Sequence, residues 1–448
     1  MAKKNKNDEF LDKLNNAPQL TPVGILDFVE DVITVFGKDV NSNRSLLAVY
    51  DGLKPSYRRT FVTALKNGNK FMKTASISGT AIASLHPHGD ASINAVISAL
   101  CRYGIFDGAG NHGAKFIRSA SLTVAPSAAR YTEARVNQKW RDLISPLLKY
   151  VPWIEAEMEG FTEPLYLPTP IPLGLTFGAK GIGIGCNCNI PAFTAKSMYE
   201  ALLADDPKLL KAPFGLVLDI KSQGLQDLWN TGVGRVGYAF KATKEQGGFY
   251  LKGDAELFSA NPQGMKHLES WCDEGLIRIV DETDEDGSRL FFERTPGVKK
   301  IDDDDIQREV IKSATNTRVY RLTVCRGDQA FIIPLKIWLR ECYENYLRLV
   351  DKYKQDNINK IKFDIEVYTW LPEVAKILIK KPESEDQEIA DKLKIKVEVV
   401  KAIMQKSISS LKKSNDTTEK VASLNNDLKE FTNLDPVKYT ESIINKFD

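Results

Sequence analysis

Residues 86–102 read HPHGDASINAVISALCR, and how that stretch divides decides the fold around it. Pro87, between two histidines, ends whatever helix precedes it. Asp90 then stands where an N-cap belongs. Ile93, Val96, Ile97 and Leu100 recur at i, i+3, i+4 and i+7, so the spacing predicts a helix with one buried stripe and with Ser92, Ser98 and Arg102 opposite. Upstream, KTASISGTAIASL (73–85) predicts another helix. The turn Asp51-Gly52-Leu53-Lys54-Pro55 opens a third, with Arg58 and Arg59 in its first turns. Residues 22–43 read as a helical lead-in. Downstream, short β-like pieces broken by Gly108, Gly110 and Gly113 end at Tyr131. Helices followed by a glycine-rich hairpin suggest a winged helix-turn-helix, whose second helix can enter a major groove.

Composition bounds what such a unit belongs to. The chain has 448 residues, 43% hydrophobic and 27% charged, enough for several domains with their own cores. The opening MAKKNKNDEF is basic but is followed by no apolar run, and no window is long and apolar enough for a membrane span, so a cytosolic location is expected. The six cysteines are scattered, and Cys186 and Cys188 lack a second pair at zinc spacing, so they read as reduced thiols. The net charge is +2, but from Lys54 to Arg135 there are 11 basic residues against the acids Asp90, Asp107 and Glu133, or +8. A basic domain is the footprint of a polyanionic partner, with nucleic acid the commonest.

Beyond this unit, the cluster PTPIPLGLTFGAKGIGIGCNCNIPAFT (168–194) reads as a separator. It is followed by a mixed region with strand-like runs FGLVLDI, GLIRIV, RLFFER, VYRLTV and AFIIPL. From Leu335 to Ile365 the apolar period becomes helical with no breaker. Val421, Leu424, Leu428 and Phe431 alternate steps of three and four, the seam of a coiled coil. The acidic runs DETDEDG (281–287) and DDDD (302–305) read as surface loop. A multidomain α+β fold is expected: a flexible N-terminus (1–21), a winged-helix unit (22–155), an α/β domain (156–333), helical arms (334–366 and 406–432), a compact helical knob (367–405) and a tail (433–448).

Five motifs now stand in series: DGLKPSYRR, HPHGD, DGAGNHG, AARYTEAR, and PTPIP with GIGIG. In this order and at these intervals the chain resembles the A-type chain of type IIA DNA topoisomerases, the gyrase and topoisomerase IV group with its phage relatives. The motifs cover roughly residues 22–200, and beyond them the resemblance is one of order and shape. It implies that the α/β domain is the tower and that the helical arms form an antiparallel coiled-coil stalk ending in a helical C-gate. It also implies that Tyr131 attacks a DNA phosphate to form a 5′-phosphotyrosyl intermediate that preserves the bond for resealing. A phenol is mostly protonated at neutral pH and needs a base or a positive field, which Arg130 beside it would supply. Arg44 matches the family's electrophilic arginine, although NSNRSLLAVY departs from the usual surroundings. His86 and His88, with no third ligand near in sequence, would position the scissile phosphate rather than a metal. Lys54, Arg58 and Arg59 would grip the DNA backbone. Ile182 matches an intercalating wedge, with Ile184 a competitor, and Arg135 is open to a purely structural role.

What the sequence lacks points to partners. It shows no acidic metal-binding cluster in a strand context and no phosphate-binding loop, so Mg²⁺ and ATP are expected on a separate B-type subunit carrying ATPase and TOPRIM domains. Cutting both strands takes two tyrosines, which implies a homodimer and an A2B2 assembly on double-stranded DNA. The chain closes at Asp448 with no β-repeat C-terminal domain, so relaxation or decatenation is expected rather than supercoiling, and a phage or mobile-element origin fits the short form. Ala91 and Ala95 replace the serine and acid that support fluoroquinolone binding in bacterial enzymes, implying weak drug sensitivity. Two alternatives stand beside this reading: a DNA-binding scaffold that does not cleave, and a tyrosine recombinase, which fits poorly because Tyr131 lies in the first third of the chain.

Overall fold

The computed structural model of the chain describes residues 24–115, 123–213, 215–252, 262–282, 289–406 and 417–447. The expected flexible segment 1–21 and most of DETDEDG lie outside these residues. The architecture is mixed α/β. Helix α1 (Ile25–Val40) leads into one π-helical turn, Asn41–Ser45, that carries Arg44, and then into the two-residue strand β1 (Leu47–Ala48). Helix α2 (Pro55–Leu65) starts on a proline, whose missing N–H costs nothing in the first turn. Strand β2 (Met72–Lys73), α3 (Thr74–Ser84), α4 (Asp90–Arg102) and β3 (Phe106–Ala109) follow, then the short ladder β4 (Ala114–Lys115) with β5 (Thr123–Val124), and then β6 (Glu133–Val136).

These pieces fold together because their apolar faces coincide. Ile93, Val96, Ile97 and Leu100 of α4 are buried as their spacing predicted, against Phe61, Ile77, Ala81 and Leu85 of the other two helices. The strands run antiparallel in the order β2, β6, β3, with Gly108 opposite Ala134 and Phe106 opposite Val136. Phe106 thereby meets Phe61 at a ring separation of 5.7 Å. Two details differ from expectation. Gly89, not Asp90, caps α4, and Asp90 enters the first turn, where its charge still complements the helix dipole. Ser98 is buried rather than outward.

The first part of the Gly/Pro cluster is core, not a separator. Residues 166–178 are all buried. Two backbones meet there: Gly52 adopts φ +69°, and a Cβ on Gly174 would lie 2.1 Å from the Gly52 carbonyl oxygen. Only glycine allows such an approach. Asp51 ties the region together, accepting from the backbone N–H of Leu53 and Leu167 and from both Nε and Nη2 of Arg58.

A short hairpin, β7 (Trp153–Glu155) with β8 (Thr162–Pro164), precedes the larger sheet. That sheet is built from β9 (Ala179–Ile182), β10 (Asn187–Ile190), β11 (Leu216–Leu218), β12 (Val233–Glu245), β13 (Gly248–Lys252), β14 (Ile277–Asp281), β15 (Arg289–Arg294) and β16 (Thr315–Arg321). It is antiparallel in the order β14, β15, β13, β12, β16, β10, β9, with β11 beside β12. DDDD is not loop: Asp302 caps helix α5 (Asp303–Ala314) through its side chain, and the next three acids fill the first turn, where the dipole favours them. Strands β17 (Thr323–Arg326) and β18 (Gln329–Ile332) complete the region, and β17 pairs in parallel with β1, joining it to the N-terminal unit.

Helix α6 runs from Leu335 to Lys380 without a break, 46 residues and so about 69 Å. It therefore passes the expected end of the first arm at residue 366 and continues through Pro372. Val367, Leu371 and Val374 flank that proline in a second core with α7 (Asp386–Leu393) and α8 (Val397–Met404), and this packing holds the helix through its missing hydrogen bond. Helix α9 (Thr418–Asn433) lies along α6. Leu424 is buried and Val421, Leu428 and Phe431 are half-buried on that side. Helix α10 (Pro436–Ile444) then packs Tyr439 near Tyr353. Among the described residues no helix is long and apolar enough to cross a membrane.

Candidate active site

Tyr131 sits just before β6 and is 66% exposed, an unusual position for so large a ring. Its loop is fixed on both sides. Ala75 N–H donates to the Ala129 carbonyl at 3.1 Å and Thr74 N–H to the Thr132 carbonyl at 2.9 Å, so the first turn of α3 holds the loop. The Thr132 hydroxyl donates to that of Thr74 at 2.8 Å. Opposite, Gly110 takes φ +85°, and a Cβ there would lie 3.2 Å from the Tyr131 carbonyl oxygen. The guanidinium of Arg130 lies 4.6 Å from the phenol ring centre. Thus the backbone is rigid while the hydroxyl and its cation face outward. Arg135 points elsewhere, bonded to Asp107 at 3.0 Å and stacked on Phe71.

A second group forms at the other end of α3. His86 is buried, and its Nδ1 lies 3.0 Å from Nη1 of Arg59. The His88 ring meets it edge-on at 4.5 Å, and His88 Nε2 lies 3.4 Å from Glu157. Burial first, and then the charges of Arg59, His88 and Arg44, hold the His86 imidazole down to about 4. The smallest of these contributions comes from Arg44.

The arginines expected to grip DNA are committed inside. Arg58 is buried against Asp51 at 2.7 Å. Arg59 forks both oxygens of buried Glu163 at 2.8 Å and donates to Glu157. Neither guanidinium is placed to hold a phosphate, which corrects that expectation; a buried carboxylate requires such a partner. Lys54 is half-buried, its ammonium donates to the Lys180 carbonyl at 2.8 Å, and burial lowers its pKa. It lines a cleft of about 220 Å³ with Tyr57, Tyr103, Phe177 and Lys180.

The two candidate wedge residues are separated by their packing. Ile182 ends β9 and is 87% exposed. Ile184 is tied to α1 and the π-turn: its N–H donates to Asn41 Oδ1, its carbonyl accepts from Asn41 Nδ2, and its side chain packs on Gly37. Gly181 lets the strand approach closely, since a Cβ there would lie 2.0 Å from the Ser45 carbonyl oxygen.

His86, His88 and Glu157 form the one cluster of metal-ligand type among the described residues, with ligand atoms within 4.8 Å of each other. They do not fit a divalent ion. Arg59 already donates to His86 and Glu157, placing a fixed positive charge where the ion would sit. Sequence reasoning missed Glu157 and Glu163, which arrive from the β7–β8 hairpin about a hundred residues after Arg59, and Asn41; nothing local marks any of them.

The fold and this site together define a mixed α/β protein that presents an arginine-flanked phenol on a fixed loop. The family profile of the DNA gyrase/topoisomerase IV A-type chain matches residues 44–448, and the chain belongs to that family. The gyrase A-type chain of Haemophilus influenzae is 28% identical over 337 residues, covering 68% of this chain and 36% of that protein. The topoisomerase 4 A-type chain of Staphylococcus epidermidis is 26% identical over 375 residues, 76% of this chain and 44% of that protein. The gyrase A-type chain of Deinococcus deserti is 35% identical over 201 residues, 42% of this chain and 24% of that protein. The chain spans less than half the length of each of these relatives.

Proposed function

We propose that this chain is the breakage-reunion component of a type IIA DNA topoisomerase and that Tyr131 is its nucleophile. The observation that carries the reading is a phenol exposed beside Arg130 on a loop fixed at both flanks. In the proposed step the Tyr131 oxygen bonds to phosphorus as the P–O3′ bond breaks. The phenolic proton is replaced, by way of solvent, on the departing O3′, so the DNA is left with a free 3′-hydroxyl and a 5′-phosphotyrosyl end. Attack by that hydroxyl reverses the step, so no external energy is needed to reseal. Arg130 neutralises charge building on the phosphate. Ile182 is the wedge that unstacks a base step and kinks the duplex.

Within one chain the pieces stand apart. The Tyr131 loop is bonded to the first turn of α3 and His86 follows its last, a separation of about 16 Å along the helix. This favours a homodimer in which the tyrosine of one copy meets the Arg44–His86–His88 group of the other. Divalent metal and ATP are assigned to a B-type partner chain on the same reading, since the His86 cluster does not suit an ion. The test mixes the chain with its B-type partner, ATP, Mg²⁺ and supercoiled plasmid. Wild type should relax the plasmid and form protein-linked double-strand breaks. Tyr131→Phe should bind DNA and do neither; equal activity in the two would remove Tyr131 from the chemistry and leave a binding scaffold.

A further inference from the structure

The Arg59 guanidinium is placed between two carboxylates and an imidazole. Its Nε and Nη2 donate to the two oxygens of Glu163, each at 2.8 Å, and its Nη1 donates to Glu157 at 2.8 Å and faces His86 Nδ1 at 3.0 Å. A guanidinium has donors only. The nitrogen facing it must therefore accept, and a neutral imidazole that accepts at Nδ1 carries its proton at Nε2. Arg59, Glu163 and His86 are all buried, so this arrangement is screened from water.

We propose that Glu163, acting through Arg59, holds His86 as a neutral imidazole protonated at Nε2, making Glu163 and Arg59 positioning residues that set which His86 nitrogen can donate to a phosphate oxygen. The bidentate grip of Glu163 fixes the plane of the guanidinium, and that plane aims Nη1 at the ring. Glu157 is the outer partner: one oxygen takes Arg59 and the other faces His88 at 3.4 Å, so it orders the second histidine. The charged and titratable groups facing His86 are Arg59, His88, Glu157 and Arg44; all but Glu157 oppose its protonation. The link to phosphate rests on the DNA-cleaving role proposed above, whereas the tautomer itself does not.

The test is long-range ¹H–¹⁵N correlation on the chain labelled with ¹⁵N-histidine. The chain has four histidines, and His86→Asn identifies the relevant signal. Wild-type His86 should show a protonated Nε2 and an unprotonated Nδ1, and should still be neutral at pH 5.5. Glu163→Gln should give a mixture of both tautomers. Glu157→Gln, an exposed change that spares the fold, should leave the His86 tautomer as it is, and it serves as the second variant if Glu163→Gln does not fold. A wild-type His86 protonated at Nδ1, an unchanged tautomer in folded Glu163→Gln, or a tautomer lost in Glu157→Gln would each overturn the proposal. In cleavage assays Glu163→Gln should lose on the order of 10²-fold in rate with DNA affinity within about threefold of wild type. Absence of cleavage in wild type would count against the topoisomerase reading alone, since the tautomer is read without DNA.

Discussion

His86 carries a stability consequence that can be measured without DNA. Its imidazole is held down to about 4, chiefly by burial, against an ordinary value near 6.5. The unfolded chain therefore binds more protons than the folded one once pH falls below about 6.5. His86 contributes its full stability above that value and loses it as pH drops toward 4, a change on the order of 3 kcal/mol. Melting curves at pH 7 and pH 4.5 should show a smaller difference for His86→Gln than for wild type; equal differences would place His86 in a more solvated setting. Arg58 gives a second case. Removing it leaves Asp51 charged, fully buried and short of two donors. Arg58→Ala should destabilise the protein by about 3–5 kcal/mol in denaturant titrations, whereas a phosphate-gripping surface arginine would weaken DNA binding and leave stability unchanged.

Among the elements, the β9–β10 hairpin separates a binding role from a structural one. Ile182→Ala should leave the melting temperature within a degree or so yet reduce DNA bending, read by energy transfer across a doubly labelled duplex. Ile184→Ala should lower the melting temperature, because its side chain packs on Gly37 beside the Asn41 hydrogen bonds. The reverse pattern would exchange the two assignments. The same hairpin shows how far the sequence could be read. Ile93, Val96, Ile97 and Leu100 announced α4 because one face of a helix meets one core. Four of the five strand-like runs each hold one strand, since apolar β-branched and aromatic residues cluster in them, whereas VYRLTV is divided at Leu322 between the end of β16 and the start of β17. Strand β12, the longest, went unread: VGRVGYAFKATKE mixes glycine and charge, and its register comes from β16 and β13 on either side. Buried residues 166–178 were mistaken for a separator for a related reason, because proline and glycine mark turns locally and close packing only in three dimensions. Of the candidate site, Tyr131, Arg130 and the histidines were legible from motif order. The committed states of Arg58 and Arg59 were not, because Glu157 and Glu163 lie far along the chain.

Taken whole, the molecule holds its phenol and its histidine group at opposite ends of α3, and this governs how two copies should cooperate. Mixing Tyr131→Phe chains with His86→Ala chains should restore one complete site per mixed dimer, giving single-strand nicks where neither variant alone gives any cleavage. No recovery on mixing would mean that each site is built within one chain. The most direct test of the central claim is to trap the covalent complex with DNA, trim it with nuclease, and locate the remaining nucleotide by peptide mass spectrometry. The account predicts one nucleotide joined through its 5′-phosphate to Tyr131 in AARYTEAR. A nucleotide on another residue, one joined through a 3′-phosphate, or plasmid relaxation without any adduct would contradict it.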